Sequence, residues 1–399
     1  MSSFISKGNI PVRDSFLVFG QPQINDIEIQ EVVDTLKSGW LGTGPKVHKF
    51  EEDFRNYIGC NYAIAINSCT AGLFLALEAI GINPGDEVIT TPMTFAATAN
   101  VIIHHRAKPV FVDIERKTMN IDPDRIEHAI TPKTRAIIPV HFAGRPCKMD
   151  EILDIAHRHN LFVIEDAAHS TESWYKDKKI GNIGDITVFS FYVTKNVVTG
   201  EGGMLTTNNV DWADEMRIKS LHGISKDAWK RYSAEGFQPY EIIYPGYKFN
   251  MMDIQASLGI HQLARVEENL KIRERYWKKY NEAFFDMPEI MIPIEEEEIR
   301  HARHLYTILI NPERLNSDRN QIVDALKMEN IGTGIHFVAI HLHKYYRETF
   351  GYKRGDFPES EFVSDRTISL PMSAKLTDED VNDVINGVKK VIKYNTKVI

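Results

Sequence analysis

Residues 187–205 read TVFSFYVTKNVVTGEGGML: an apolar, aromatic run, a single lysine and a glycine-rich close. Residues 185–191 have the look of a buried strand. Lys195 stands between Thr194 and Asn196, with Ser190 before it and Gly200, Gly202 and Gly203 after it. Most lysines are surface residues with no chemical role. Small, hydroxylated and glycine neighbours suit a turn that presents a lysine to a ligand better than a solvated face.

Upstream of this stretch, short apolar runs alternate with helical ones. Strands are predicted at 62–66, up to Thr91, at 109–113, 135–141 and 161–165. Helices are predicted at 24–38, 45–57, after NSCTAG to Ile80, in PMTFAATANVIIHH, and at 122–130 and 149–159. Residues 203–207 are expected to run back beside 185–191. This alternation predicts an α/β fold whose mainly parallel sheet carries helices on both faces. Ligands bind at the C-terminal strand ends of such sheets. Asn67, Thr91, His141 and Asp166 fall at those ends.

Residues 1–23 read as an extended arm and 39–45, GWLGTGP, as a glycine-rich loop. Residues 251–285 have few breakers and predict one long helix that leaves the large domain. A strand at 299–311 and helices at 318–328 and 377–394 predict a smaller α+β domain. The expected division is 1–255 for the arm and large domain, and 256–399 for the linking helix and smaller domain.

A chain of 399 residues is too long for one simple core. A net charge of −8 gives no electrostatic reason to expect a nucleic-acid partner. The cysteines, Cys60, Cys69 and Cys147, lack metal-type spacing and suggest a reducing compartment. The first residues, MSSFISKGNIPVRDS, are polar, unlike a signal peptide. No apolar run reaches the ~20 residues of a membrane span. The expectation is a cytoplasmic protein.

Four groups of residues can carry chemistry. Asp166 ends an apolar strand in IEDAAH and needs a partner there. That partner can be a helix start, a buried cation, or the protonated nitrogen of a pyridine ring kept electron-poor by the pairing. Lys195 can form a Schiff base if partial burial lowers its proton affinity. NSCTAG opens a helix whose free N–H groups favour an anion, with the Thr70 hydroxyl, the Ala71 N–H and the Ser190 hydroxyl as further donors; the same pattern also serves as a simple cap. Phe95 lies past a strand end, where it can stack on a flat ring or pack in the core. Together they supply what a pyridoxal phosphate enzyme requires.

At this point the chain resembles the DegT/DnrJ/StrS sugar aminotransferases, of the aspartate aminotransferase-like fold type I. The motifs that carry the resemblance are NSCTAGL, TTPMTFAATAN, FVDI, VHFAG, VIEDAAH, FSFYVTKNVVTGEGGM, GYKFNMMDIQASLG and IHLHKYYRETFGYKRGDFP. They span nearly the whole chain. The resemblance implies a seven-stranded sheet and pyridoxal 5′-phosphate as cofactor. It implies that Lys195 bonds the cofactor and shuttles the proton, Asp166 holds the ring nitrogen, and His169 lies beside the ring and its phenolic oxygen. Phe95 would stack on the ring, and Thr70, Ala71 and Ser190 would bind the phosphate. It also implies a homodimer with shared active sites, in which Lys248 and Asn250 of the GYKFN loop reach into the partner's site. His341 matches a histidine near the substrate.

The implied reaction moves an amino group from L-glutamate, leaving 2-oxoglutarate, to a UDP- or dTDP-linked 4-keto sugar for a surface glycan or lipopolysaccharide. GYKFNM is similar to members that aminate position 4, whereas GFNSRLD marks those that aminate position 3. A sugar dehydratase on this fold carries His at the lysine position, so Lys195 opposes that alternative. A non-enzymatic regulator would need a basic helix-turn-helix, which is not evident here. An amino-acid aminotransferase would need an arginine dedicated to a second carboxylate. The chain departs from the family pattern at Cys69, where Gly is usual, and at AHSTES, so residues 170–174 are expected to shape the pocket differently.

Overall fold

The structure, a computed structural model, describes residues 10–225 and 240–397. The first nine residues of the expected arm lie outside that range. Seven strands build the main sheet: β1 (Tyr62–Ile66), β2 (Glu87–Thr90), β3 (Lys108–Phe111), β4 (Thr134–Ile137), β5 (Phe162–Asp166), β6 (Ile186–Ser190) and β7 (Gly203–Thr207). Their spatial order is β1-β7-β6-β5-β4-β2-β3. Every pair from β6 to β3 is parallel. Only β7 runs against its neighbours, β1 and β6.

The strands are buried on both faces, as a parallel sheet covered by crossover helices must be. Alternate residues therefore enter different apolar cores. Ala63, Ala65, Ile89, Ile137, Val163 and Phe189 face one core with Phe50 and Phe54. Ile64, Ile66, Val88, Ala136, Ile164 and Val188 face the other with Leu73 and Leu75. The expected mainly parallel α/β architecture is present.

The long helix expected over 251–285 is instead two helices, Asp253–Ala264 and Val266–Phe284. Arg265 between them adopts φ −112, ψ 10, outside the helical well. No Pro or Gly marks the break, and each helix buries its apolar face in a different core. Ala256, Ile260 and Leu263 join the first core. Tyr276, Trp277, Tyr280 and Phe284 join a third, with an antiparallel sheet of β8 (Ile290–Met291), β9 (Tyr306–Ile310) and β10 (Thr367–Leu370). Val12 and Leu17 of the N-terminal arm pack against that third core. Among the described residues, no helix is long and apolar enough to cross a membrane.

Candidate active site

The C-terminal ends of β5 and β6, the start of the helix after β1 and the segment 335–337 enclose a cavity of about 570 Å³. Asp166, the last residue of β5, lines it and is only 5% exposed. Its Oδ2 accepts from the Thr98 hydroxyl at 2.8 Å and its Oδ1 from the Ala168 N–H at 3.2 Å. Burial raises its pKa above the usual carboxylate value; Thr98, Ala168, Lys195 and His141 oppose that rise. Among the described residues no Lys, Arg or His nitrogen lies within ion-pair distance of it. A buried carboxylate without a cation calls for one from a ligand.

Lys195 lines the same cavity. Its backbone N–H bonds to the Tyr192 carbonyl at 2.8 Å, closing a tight turn after β6. Burial pushes its pKa down to about 8, against the pull of Cys69 and Asp166. An amine so placed loses its proton readily near neutral pH. The TGEGG tail then returns the chain along β6. Gly200 takes φ +85, a left-handed conformation suited to glycine. A Cβ on Gly203 would lie 2.7 Å from the Phe189 carbonyl oxygen and 2.8 Å from the Cys69 nitrogen. Gly203 therefore lets the start of β7 lie directly against β6 and the start of the helix Cys69–Ala79.

That helix starts at the cavity wall. Ser68 caps it, its Oγ accepting from the Ala71 N–H at 3.1 Å. The Ala71 donor, expected to face a phosphate, is thus satisfied within the chain, and the N–H groups of Cys69 and Thr70 remain at the helix start. Thr70 and Ser190 both line the cavity. Cys69, in place of the usual glycine, reaches the Val188 carbonyl at 3.9 Å, and burial holds its thiol well above the ordinary range. Phe95 stands on the rim, 64% exposed, its ring tilted against Phe337 at 6.4 Å.

His169 is buried, and its Nδ1 accepts from the Ala143 N–H at 3.2 Å. Burial, with Lys195 and two further histidines nearby, holds its pKa well below 6.5. The ring is therefore neutral with its proton on Nε2, a donor available to an anionic oxygen. Its ring stacks on Phe337 at 6.2 Å and lies 4.5 Å from His304.

The structure does not bring every expected residue to this cavity. His341 is fully buried, its Nε2 3.0 Å from Glu361 and its ring 4.8 Å from Phe357, and does not line the cavity. The short helical turn Ile340–Leu342 rotates it inward. His336, five residues earlier in the sequence, occupies the wall instead. Residues 170–173 lie buried behind the cavity rather than on its surface. There Glu172 pairs with Arg273 and accepts from Asn196, and Asn196 accepts from His304 at 3.0 Å. Lys248 and Asn250 line a neighbouring cavity of about 870 Å³ with Trp40 and Gln255. Ser68 and Glu201 border both cavities.

A flat, phosphorylated pyridine fits these donors. The uncompensated Asp166 suits a protonated ring nitrogen, the neutral His169 a phenolate, the helix start a phosphate, and Lys195 an aldehyde.

Residues 22–389 match the DegT/DnrJ/EryC1/StrS aminotransferase family. The chain is 52% identical over 382 residues to the spore coat polysaccharide biosynthesis protein SpsC of Bacillus subtilis, covering 96% of this chain and 98% of SpsC. It superposes on the PLP form of Spr1654 from Streptococcus pneumoniae with a TM-score of 0.88 at 34% identity, over 95% of this chain and 99% of that one. It superposes equally well, TM-score 0.88 at 28% identity, on Helicobacter pylori PseC, an aminotransferase involved in pseudoaminic acid biosynthesis, over 95% of this chain and 100% of PseC. The motifs, the seven-stranded sheet and the lysine–aspartate cavity agree with these likenesses: the chain belongs to the DegT/DnrJ/EryC1/StrS family and is a PLP-dependent aminotransferase of the sugar-modifying kind.

Proposed function

We propose that the protein transfers an amino group from L-glutamate to a nucleotide-linked keto sugar, with UDP- or dTDP-4-keto sugars as acceptors, in surface glycan or lipopolysaccharide synthesis in the cytoplasm. The observation that carries this reading is a lysine of lowered pKa beside an uncompensated buried aspartate in one cavity. The 52% identity to a spore coat polysaccharide biosynthesis protein supports a glycan role. GYKFNM favours position 4 over position 3.

Pyridoxal phosphate, when bound, supplies an electron sink for the carbon that loses its proton. Asp166 keeps the ring nitrogen protonated, and Thr98 and the Ala168 N–H fix the direction of its oxygens. His169 would donate from Nε2 toward the phenolic oxygen. Lys195, with a pKa of about 8, would take the proton from the donor's α-carbon and deliver it to the cofactor carbon on the other side of the transferred nitrogen. Thr70, Ser190 and the helix start would hold the phosphate, and Phe95 would cover the ring. Lys248 and Asn250 lie in the adjacent cavity, which suits a homodimer in which each chain completes the other's site. Asn250 Nδ2 donates to Thr43 Oγ1 at 2.7 Å while its Oδ1 is buried with no hydrogen-bond partner among the described residues.

A panel of UDP- and dTDP-keto sugars incubated with L-glutamate, read by mass spectrometry, tests the reading. The expected product carries nitrogen at position 4. Nitrogen at position 3, or no nitrogen transfer to any sugar of the panel, rejects it.

A further inference from the structure

We propose that the N-terminal arm is a positioning strap of the catalytic cavity: Phe19 holds the His336 imidazole in place, and Gly20 bears on Thr194 beside Lys195. The inference rests on the proposed function in one respect only, that L-glutamate is the amino donor; that His336, which lines the cavity, meets an oxygen of this donor is part of the present proposal.

The arm is anchored before and after Phe19 and Gly20. Before them, the Val12 N–H donates to Glu329 at 2.9 Å, and Arg13 pairs with Asp380 and Asp383, each at 2.8 Å. After them, the Gln23 carbonyl accepts from Gln262 at 2.8 Å and from Arg265 at 2.6 Å. Arg265 is the residue at which the two long helices meet. Between these anchors the arm reaches two residues that line the cavity, His336 through Phe19 and Thr194 through Gly20.

There the arm pairs with the segment that carries His336. Leu17 donates to the Asn330 carbonyl at 2.8 Å and accepts from the Gly332 N–H at 2.8 Å. The two backbones approach closely: a Cβ on Gly332 would lie 2.7 Å from the Leu17 oxygen. Phe19 then stacks on His336 at 5.5 Å with the rings 29° apart. On its other edge, His336 Nδ1 lies 2.8 Å from the Ser369 hydroxyl. Phe19 and Ser369 thus grip the imidazole from two sides, and Nε2 is left with no hydrogen bond among the described residues.

One residue on, the arm touches the lysine turn. A Cβ on Gly20 would lie 2.9 Å from Thr194 Cγ2 and 3.1 Å from Thr194 Cβ. So Gly20 meets the residue directly before Lys195, while Phe19 meets His336. A packing role alone requires neither contact to face the cavity. Both Thr194 and His336 do.

Full-length wild-type protein, Phe19→Ala, Gly20→Val, His336→Ala and the Phe19→Ala/His336→Ala double variant are titrated with pyridoxal phosphate by absorbance. The half-reaction with L-glutamate is then followed. Misplacing a positioned group by about 1 Å costs up to about a hundredfold. Phe19→Ala is expected to raise the glutamate KM roughly tenfold with kcat within about threefold, the pattern of lost uniform binding. In the His336→Ala background the same change should add less than about twofold, because both act through one imidazole. Gly20→Val should weaken pyridoxal phosphate binding roughly tenfold through Thr194. Wild-type behaviour of Phe19→Ala or of Gly20→Val overturns the strap, and so does a full additional loss in the double variant. If Phe19→Ala does not fold, Phe19→Leu, which keeps the apolar anchor without the ring, replaces it with the same expectation. If the wild type does not react with glutamate, the proposed function fails, and cofactor binding by Gly20→Val still decides the strap.

Discussion

Replacing Thr98 by valine removes the one side-chain hydrogen bond that Asp166 receives among the described residues, while keeping the volume of a fully buried site. The bond is 2.8 Å long and runs to a carboxylate buried to 5% exposure. Hydrogen bonds to charged groups contribute about 1.5–3 kcal/mol, which corresponds to about 1–2 pKa units. The sign follows from the protonation states. Thr98 stabilises the ionised form, and the Asp166 pKa already lies above 3.8 because burial outweighs its hydrogen bonds. Its loss therefore raises that pKa further. An Asp166 that is protonated can no longer keep a ring nitrogen charged, so the acid limb of kcat/KM for glutamate should move up by about 1–2 units. Thr94, whose hydroxyl lies 2.7 Å from that of Thr98, loses a neutral partner, which affects stability and not the limb. The assay is the pH profile of the glutamate half-reaction for wild type, Thr98→Val and Thr98→Ser, with serine restoring the wild-type limb. An acid limb that stays in place or moves down in Thr98→Val refutes the role given to this bond.

Two further outcomes concern stability. Arg273→Met leaves Glu172 buried and uncompensated, since their side chains are 3% and 0% exposed; urea unfolding should show a loss of about 3–5 kcal/mol, and adding Glu172→Gln should recover much of it. Burial holds His169, His301 and His304 well below 6.5, and burial with Lys195 pushes His336 down to about 4. The unfolded chain binds protons that these folded imidazoles refuse, so their contribution is complete above 6.5 and is lost as pH falls below it, down to about 4 for His336. Denaturation midpoints of the apoenzyme measured across that interval should fall with pH, and constant midpoints contradict the assignment.

Much of the site was legible because its members are local. Asp166, Ser190 and Lys195 follow from strand ends and one glycine-rich turn, and short-range pattern suffices to place them. Thr70 and Phe95 follow from the same logic at neighbouring strand ends. The residues that act from a distance were not legible. Thr98 bonds to a carboxylate 68 positions away and Arg273 to one 101 positions away, and no periodicity links such partners. A signal for Thr98 did exist, since a hydroxyl in the first turn of a helix after a strand end can face the sheet edge. IHLHKYY alone does not tell that His341 is buried against Glu361, 20 residues further on, while His336, before that segment, lines the cavity. The break at Arg265 was hidden for a related reason. Both helices have good propensity, and it is the separate cores that divide them.

The central claim is that Lys195 is the residue that bonds the cofactor. Protein loaded with pyridoxal phosphate, reduced with borohydride, digested and sequenced by mass spectrometry tests it most directly. The account predicts a single pyridoxyl group on the peptide that carries Lys195. Lys179 is the internal control, because burial brings its pKa to about 8 as well, yet it lies against Tyr57 and Glu267 rather than in the cavity. A pyridoxyl group on Lys179, or on any lysine but Lys195, contradicts the account.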